Sequence, residues 1–310
     1  MRWPWSGRRF PCSACGLPGR GSSPMSVRPG PCARRTRDDG SARRPTRPGM
    51  KVGWIGLGQI GVPMALRILQ SGHDLKAFVR KPAEGEDVRA AGAIACGSGA
   101  EAAIDVDILG VCLFDDHQIH QALILDGALA AMRADSVVMV HTTGDPELFG
   151  RLSAHAPAGV SLLDVAFSGD RDAVLAGRIA VMAGGEAQAL AAARPVLESY
   201  ASRILHVGAL GDGRRAKLLN NLLFAAQMSL AAEVRIQADH WGLDPDLTVQ
   251  AVMTSSGASY AMSRFQGGAT APDLLERIKP YLDKDVAMAC AALGDDHRLP
   301  LTIAAAGAWS

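Results

Sequence analysis

Two places in this 310-residue chain put reactive residue types at spacings that chemistry uses. Gly56, Gly58 and Gly61 form G-x-G-x-x-G between the β-rich run Lys51–Ile55 and a helical stretch that reaches Gln70. The first glycine permits a tight turn, the second lets the backbone approach a pyrophosphate, and the third lets helix and strand pack closely. The helix N-terminus then offers free N–H groups and its dipole to the phosphates. The predicted cradle is Gly56, Leu57, Gly58, Gln59, Ile60 and Gly61, and its ligand is a dinucleotide. Much later, Lys217 and Asn221 stand four apart in a predicted helix and share one face. Each costs desolvation among the leucines around it. A lysine whose pKa is lowered by burial can exchange a proton with a hydroxyl near neutral pH.

The end of the second predicted strand, 74–79, bears on which dinucleotide. An NAD site places an acid about 20 residues after the glycines, on the ribose 2′-OH. Here the chain reads Val79, Arg80, Lys81, and the first acid is Glu84. Arg80 and Lys81 suit a 2′-phosphate, the arginine in a bidentate way. NADP is therefore expected ahead of NAD.

The elements that must hold these residues alternate. Further strands are predicted at 93–96, 108–114, 136–140, 160–166, 179–183 and 204–207, with helices between most of them, the pattern of a parallel α/β sheet. A helix is predicted over 186–199. Near Gly211 the character changes to helices alone: 213–241, then 246–253, 258–265, 271–292 with Pro280 interrupting, and 299–308. The long helix is apolar on nearly all faces, so it belongs between other elements or subunits. The expected fold class is α/β, a Rossmann-type doubly wound parallel sheet followed by an all-α domain with a long interdomain helix. The expected domains are 50–210 for the dinucleotide and 211–310 for the helices.

Residues 1–49 read differently. They carry eleven Arg and no Lys against Asp38 and Asp39, a net +9 in a chain whose total is +1, so the remainder is −8. Eight prolines and seven glycines interrupt any apolar period there. The segment is expected to be a disordered extension upstream of a natural start at Met50. The acidic remainder carries no nucleic-acid footprint, and no run of about 18 apolar residues predicts a membrane span. Cys12 and Cys15 have zinc-knuckle spacing without a second pair, and Cys32 adds only a third thiol, so no metal site is expected. Cys96, Cys112 and Cys290 are dispersed in apolar surroundings, which points to a reducing compartment, the cytoplasm.

The run from Gly56 to Ala65 resembles the signature of the β-hydroxyacid dehydrogenases, and the resemblance continues in order over residues 50–303. Leu113, Phe114, Asp115 and Asp116 are similar to the family's cofactor loop after the fourth strand, which usually has Pro where Phe114 stands. The stretch from His141 to Pro146 resembles its Ser-Thr loop beside the nicotinamide. Residues 164–170, with Gly177 and residues 182–185, resemble its substrate-binding segment. Residues 211–221 resemble its catalytic segment, and residues 256–259 with Lys284 and Asp285 its later helical motifs. The resemblance implies that Lys217 is the general acid/base and that Asn221 orients it or the hydroxyl. It implies that Ser168 and Gly169 hold a substrate carboxylate. Leu113, Thr142 and Thr143 then face the cofactor, and Lys284 reaches the nicotinamide or the carboxylate.

Two features depart from the family. Asp170 stands where a second Gly is usual, so a carboxylate faces an acidic substrate or takes a cationic one. The chain also stops at Ser310, where relatives continue for another helix or so. His141 reads as a packed strand-end residue rather than a catalyst. The expectation is an NADP-preferring dehydrogenase or reductase of a small 3-hydroxy acid or its semialdehyde, assembled as a homodimer or homotetramer through the helical domain. The alternatives are an imine reductase of the same architecture, which usually carries Asp or Tyr at the position of Lys217, and a non-catalytic NADP-binding protein.

Overall fold

The computed structural model describes residues 49–267, 270–294 and 298–307. The expectations for residues 1–48, Cys12, Cys15 and Cys32 among them, lie outside the described residues. Eight strands form one sheet: β1 (Lys51–Ile55), β2 (Asp74–Phe78), β3 (Ile94–Cys96), β4 (Ile108–Val111), β5 (Val137–Val140), β6 (Ser161–Ser168), β7 (Ile179–Gly185) and β8 (Ala201–Gly208). The helices between them are α1 (Gly61–Gln70), α2 (Glu86–Ala90), α3 (Gly99–Ala103), α4 (Asp116–His120), α5 (Leu148–His155), α6 (Arg171–Leu175) and α7 (Ala187–Leu197). After the sheet come α8 (Asp212–His240), α9 (Pro245–Met253), α10 (Tyr260–Ser263), α11 (Ala271–Leu293) and α12 (Pro300–Ala306).

The strand order is β3-β2-β1-β4-β5-β6-β7-β8. From β1 the chain winds outward through β2 and β3, then returns to the other side of β1 at β4, so a switch point lies between β1 and β4. The strand ends on either side of such a point open a crevice for ligands. Strands such as Val137–Val140 are buried at every position because helices cover both faces. Val52, Trp54, Met139, Leu163 and Val181 pack on one face with α1 and α7. Ile55, Leu109, Val111, Val138 and Val140 pack on the other with α5. A third core joins α8 to Phe265, Leu274, Leu282 and Ala306.

Three expectations are corrected. The sheet is mostly, not wholly, parallel: β7 runs antiparallel to β6. Residues 169–178 are too few for the dozen or more that a parallel crossover needs, so the chain turns back. Strand β4 stops at Val111 rather than at 114, because the chain leaves the sheet at Cys112 to pass over the glycine loop. Helix α11 runs unbroken through Pro280; a proline forfeits one ladder bond, which flanking turns packed on α8 outweigh. Within this chain the long helix is left uncovered along one side. Leu219, Leu223, Leu230 and Val234 are 48%, 52%, 54% and 44% exposed, and their spacing sets them along one face. No helix among the described residues is long and apolar enough to cross a membrane.

Candidate active site

The glycines form a cradle. Gly56 has φ +109°, and a Cβ there would stand 2.1 Å from the Cys112 carbonyl oxygen. A Cβ on Gly61 would stand 1.9 Å from the Gly56 carbonyl oxygen. Both positions therefore require glycine for the fold itself. Gly58 differs: nothing of the protein lies within 4 Å of its would-be Cβ, and it opens on the cleft. Helix α1 has no side-chain cap and no acid in its first turn, so the positive end of its dipole is unopposed. The cleft holds about 540 Å³ and is lined by Gly56, Leu57, Gly58, Phe78, Arg80 and Leu113, among others. Gln59 is exposed beside it, and Ile60 packs back onto the sheet core. Lys81 is exposed at the start of the turn Pro82–Gly85. This is a shape and charge that a dinucleotide fits: an open glycine, a bare helix N-terminus and an arginine in one crevice.

The loop after β5 is tied to the cleft lining at Leu113. The Thr142 hydroxyl donates to the Leu113 carbonyl at 2.8 Å and accepts the Leu113 N–H at 3.2 Å, so it stitches its own loop to the one that lines the cleft. The Thr143 hydroxyl has no partner among the described residues. Just before them, His141 is fully buried, with Nε2 2.8 Å from the Tyr200 hydroxyl and Nδ1 3.3 Å from the Val111 carbonyl. Burial holds its pKa down at about 4. It is a packed residue, as the sequence reading has it.

Lys217 lies in the second turn of α8, half-buried. Burial pushes its pKa below the ordinary lysine value, and the negative charge of Asp285 opposes that shift. Its ammonium makes no hydrogen bond or ion pair among the described residues. One turn on, the buried Asn221 donates from Nδ2 to the Asp285 carboxylate at 2.8 Å, and its Oδ1 accepts from Asn220 at 3.0 Å. Burial raises the Asp285 pKa, against the charges of Lys217 and Lys284 and the bond from Asn221. The adjacent Lys284 lies with Nζ 4.1 Å from the centroid of the Phe114 ring and 3.5 Å from the Phe114 carbonyl oxygen. The helical layer thus reaches the cleft lining where Lys284 meets Phe114, and Lys217, Asn221 and Asp285 form one polar group with Lys284 behind that contact.

Ser168 ends β6, half-buried, with its hydroxyl making no hydrogen bond to another described residue. Gly169 has φ +141°, and a Cβ there would stand 2.5 Å from Ile179 Cγ2. Asp170 is the N-cap of α6, with its carboxylate accepting the Ala173 N–H at 2.9 Å. That bond explains an acid in this position without reference to substrate.

Sequence reasoning missed Asp285 as a working residue, together with Asp116, Asp164 and Arg214. Asp285 was legible only as the partner that a buried Asn221 must have. Arg214 reads in sequence as one of two ordinary cations, yet it is 0% exposed.

With the geometry in hand, comparison with known proteins is specific. Residues 51–208 match the NAD binding domain of 6-phosphogluconate dehydrogenase. Residues 211–309 match the family described as NAD-binding of NADP-dependent 3-hydroxyisobutyrate dehydrogenase. A 3-hydroxyisobutyrate dehydrogenase of Pseudomonas aeruginosa is 32% identical over 69% of this chain and 72% of its own length. An NAD-dependent L-serine dehydrogenase of the same organism is 32% identical over 68% of this chain and 72% of its own. The solved structure of Mycobacterium tuberculosis 3-hydroxyisobutyrate dehydrogenase with L-serine is 26% identical, with a TM-score of 0.73 over 83% of this chain and 91% of that one.

Proposed function

The chain belongs to the β-hydroxyacid dehydrogenase family and uses NAD(P), and from that premise we propose that it interconverts a small 3-hydroxy acid and its semialdehyde, with NADP preferred and Lys217 as the general acid/base. The observation that carries the reading is the half-buried Lys217 with a lowered pKa, one turn from an Asn221 fixed by Asp285, at the mouth of a dinucleotide cleft. The two curated relatives are named for substrates with a hydroxyl on the carbon β to a carboxylate.

Gly56, Leu57, Gly58, Gln59, Ile60 and Gly61 would hold the pyrophosphate, Arg80 and Lys81 the 2′-phosphate, and Leu113, Thr143 and Lys284 the nicotinamide end. Thr142 would set the Leu113 backbone. A nicotinamide held there would supply the hydride to, or accept it from, the carbon that carries the oxygen. Lys217 gives a proton to that oxygen in reduction and removes it in oxidation. Asn221 orients the hydroxyl, and Ser168 with the Gly169 N–H receives the carboxylate. Asp170 caps its helix and leaves the carboxylate site to those two.

An NADPH-consumption screen over semialdehydes, glyoxylate and cyclic imines tests the reading. Turnover of a semialdehyde is expected; turnover of cyclic imines alone moves the imine reductase reading ahead. Cofactor choice has its own test. Arg80→Ala is expected to weaken NADPH binding by about 1.5–3 kcal/mol, the worth of a charge-assisted bond, with little effect on NADH. Tighter binding of NADH than NADPH by the unaltered protein rejects the preference.

The group around Lys217 also sets a pH dependence. Asp285 raises the Lys217 pKa, so Asp285→Asn lowers it. Oxidation needs the neutral amine, and its rate rises with pH through that pKa. The rise in kcat is therefore expected at lower pH in Asp285→Asn than in the unaltered protein, and a rise at higher pH contradicts the pairing. Finally, the exposed Leu219, Leu223, Leu230 and Val234 support a homodimer or homotetramer built on α8. A monomer mass by sedimentation equilibrium rejects that assembly.

A further inference from the structure

We infer that Arg214 is the positioning residue of this site: its buried guanidinium, with Asp116 as counter-ion, fixes together the segments that carry the proposed cofactor-binding and catalytic residues. The inference rests on the functional reading above.

Arg214 is the third residue of α8 and its side chain is 0% exposed. Nη1 donates to Asp116 Oδ1 at 2.8 Å and to the Asp145 carbonyl oxygen at 2.7 Å. The guanidinium carbon lies 5.0 Å from the centroid of the Phe149 ring. The Arg214 backbone N–H donates to the Asp164 carboxylate on β6 at 2.6 Å. Asp116 closes the circuit, its other oxygen accepting the Asp145 N–H at 2.7 Å. Four segments meet at this residue: its side chain holds the Asp116 and Asp145 loops, its backbone N–H holds β6, and α8 carries it. Each carries proposed site residues close by: Leu113 before Asp116, Thr143 before Asp145, Ser168 beyond Asp164, and Lys217 one turn after Arg214.

A buried ion pair of this kind is weak evidence for stability, because apolar replacement of both partners is often neutral or stabilising. Its worth here is geometric. Asp116 joins α8 to the cleft loop after β4, so the height of Lys217 over the cleft is set by the same contact that sets the loop. Asp115 is already engaged, accepting the Gln118 N–H at 2.8 Å as the cap of α4, which leaves Asp116 to face inward.

The test compares Arg214→Met, Arg214→Lys and Asp116→Asn in the full chain. The readouts are NADPH affinity by fluorescence titration, kcat per NADPH-binding site, and melting temperature. Misplacement of a proton-transfer group by about 1 Å costs up to about 10²-fold, so kcat is expected to fall at least about tenfold in Arg214→Met and Asp116→Asn. The doubly substituted protein is expected to be no slower than the slower single variant, because both changes break one contact. Arg214→Lys is expected between Arg214→Met and the unaltered protein, since a single nitrogen makes both side-chain bonds. A merely structural role lowers the melting temperature and leaves kcat per binding site unchanged. Values of kcat within twofold of the unaltered protein in both Arg214→Met and Asp116→Asn overturn the inference. If the unaltered protein reduces nothing in the substrate screen, the functional reading fails, and this inference is then decided by NADPH alone. Asp116→Asn is expected to weaken NADPH several-fold by releasing the loop at Leu113, and unchanged affinity overturns it.

Discussion

Lys217→Ala is expected to lower kcat by about 10²–10⁴-fold, the usual worth of a positioned general acid or base. NADPH affinity is expected to stay within about twofold, because uniform cofactor binding is separate from the proton-transfer step. The division follows from the layout. In the proposed layout the phosphates fall to the loop from Gly56 to Gly61 at the start of α1, whereas Lys217 stands on α8. Its ammonium makes no bond within the described protein, so its removal leaves no buried partner stranded except the charge of Asp285, which Asn221 still holds at 2.8 Å. Lys217→Arg is not expected to rescue, because a guanidinium stays protonated across the working range and cannot cycle. Steady-state rates beside a fluorescence titration decide the matter. A Lys217→Ala protein with unaltered kcat rejects the mechanism.

Gly58→Val is expected to separate folding from binding. Nothing of the protein lies within 4 Å of a Cβ at this position, so the melting temperature should hardly change. The side chain would instead fill the space where the backbone approaches a pyrophosphate. Losing one charge-assisted N–H contact there costs about 1.5–3 kcal/mol, roughly 10- to 150-fold in NADPH affinity. Gly61→Ala supplies the contrast, since its Cβ would lie 1.9 Å from the Gly56 carbonyl and must disturb the fold as well. Full NADPH affinity in a folded Gly58→Val protein would place the pyrophosphate elsewhere.

The glycine loop and the sheet around it were legible because their signals are local. Glycines at fixed offsets, β-rich runs and a 3.6-residue period all act within about 15 residues. The long helix was legible for the same reason, bounded by Gly211 and Gly242. What the reading missed is long-range. Arg214 meets Asp116 across 98 residues, and Asn221 meets Asp285 across 64, so no local pattern marks either pair. The burial of Arg214 is invisible beside Arg215, which is exposed and pairs with Glu147 and Asp212. Strand β8 starts at Ala201 rather than at the predicted 204; Ser202 and Arg203 lie exposed on the sheet edge and break the apolar run. The reversal at β7 and the cap at Asp170 are different: both were readable, from the short connection and from an acid three residues before Ala173. At Asp170 the start of α6 by itself accounts for an acid.

Helix α8 has 29 residues, about 44 Å at 1.5 Å per residue. It leaves the sheet through Gly208 and Gly211, both at positive φ. Its early turns lie on β6 and β7, and its length packs on α10, α11 and α12. Treated as a lever with its fulcrum at Gly211, the rod multiplies displacement with distance. A tilt of about 10° carries His240 through roughly 7.6 Å but moves Lys217, about 9 Å from the fulcrum, by only about 1.6 Å. A given tilt thus displaces Lys217 only about a fifth as far as it displaces the distant end of the helix.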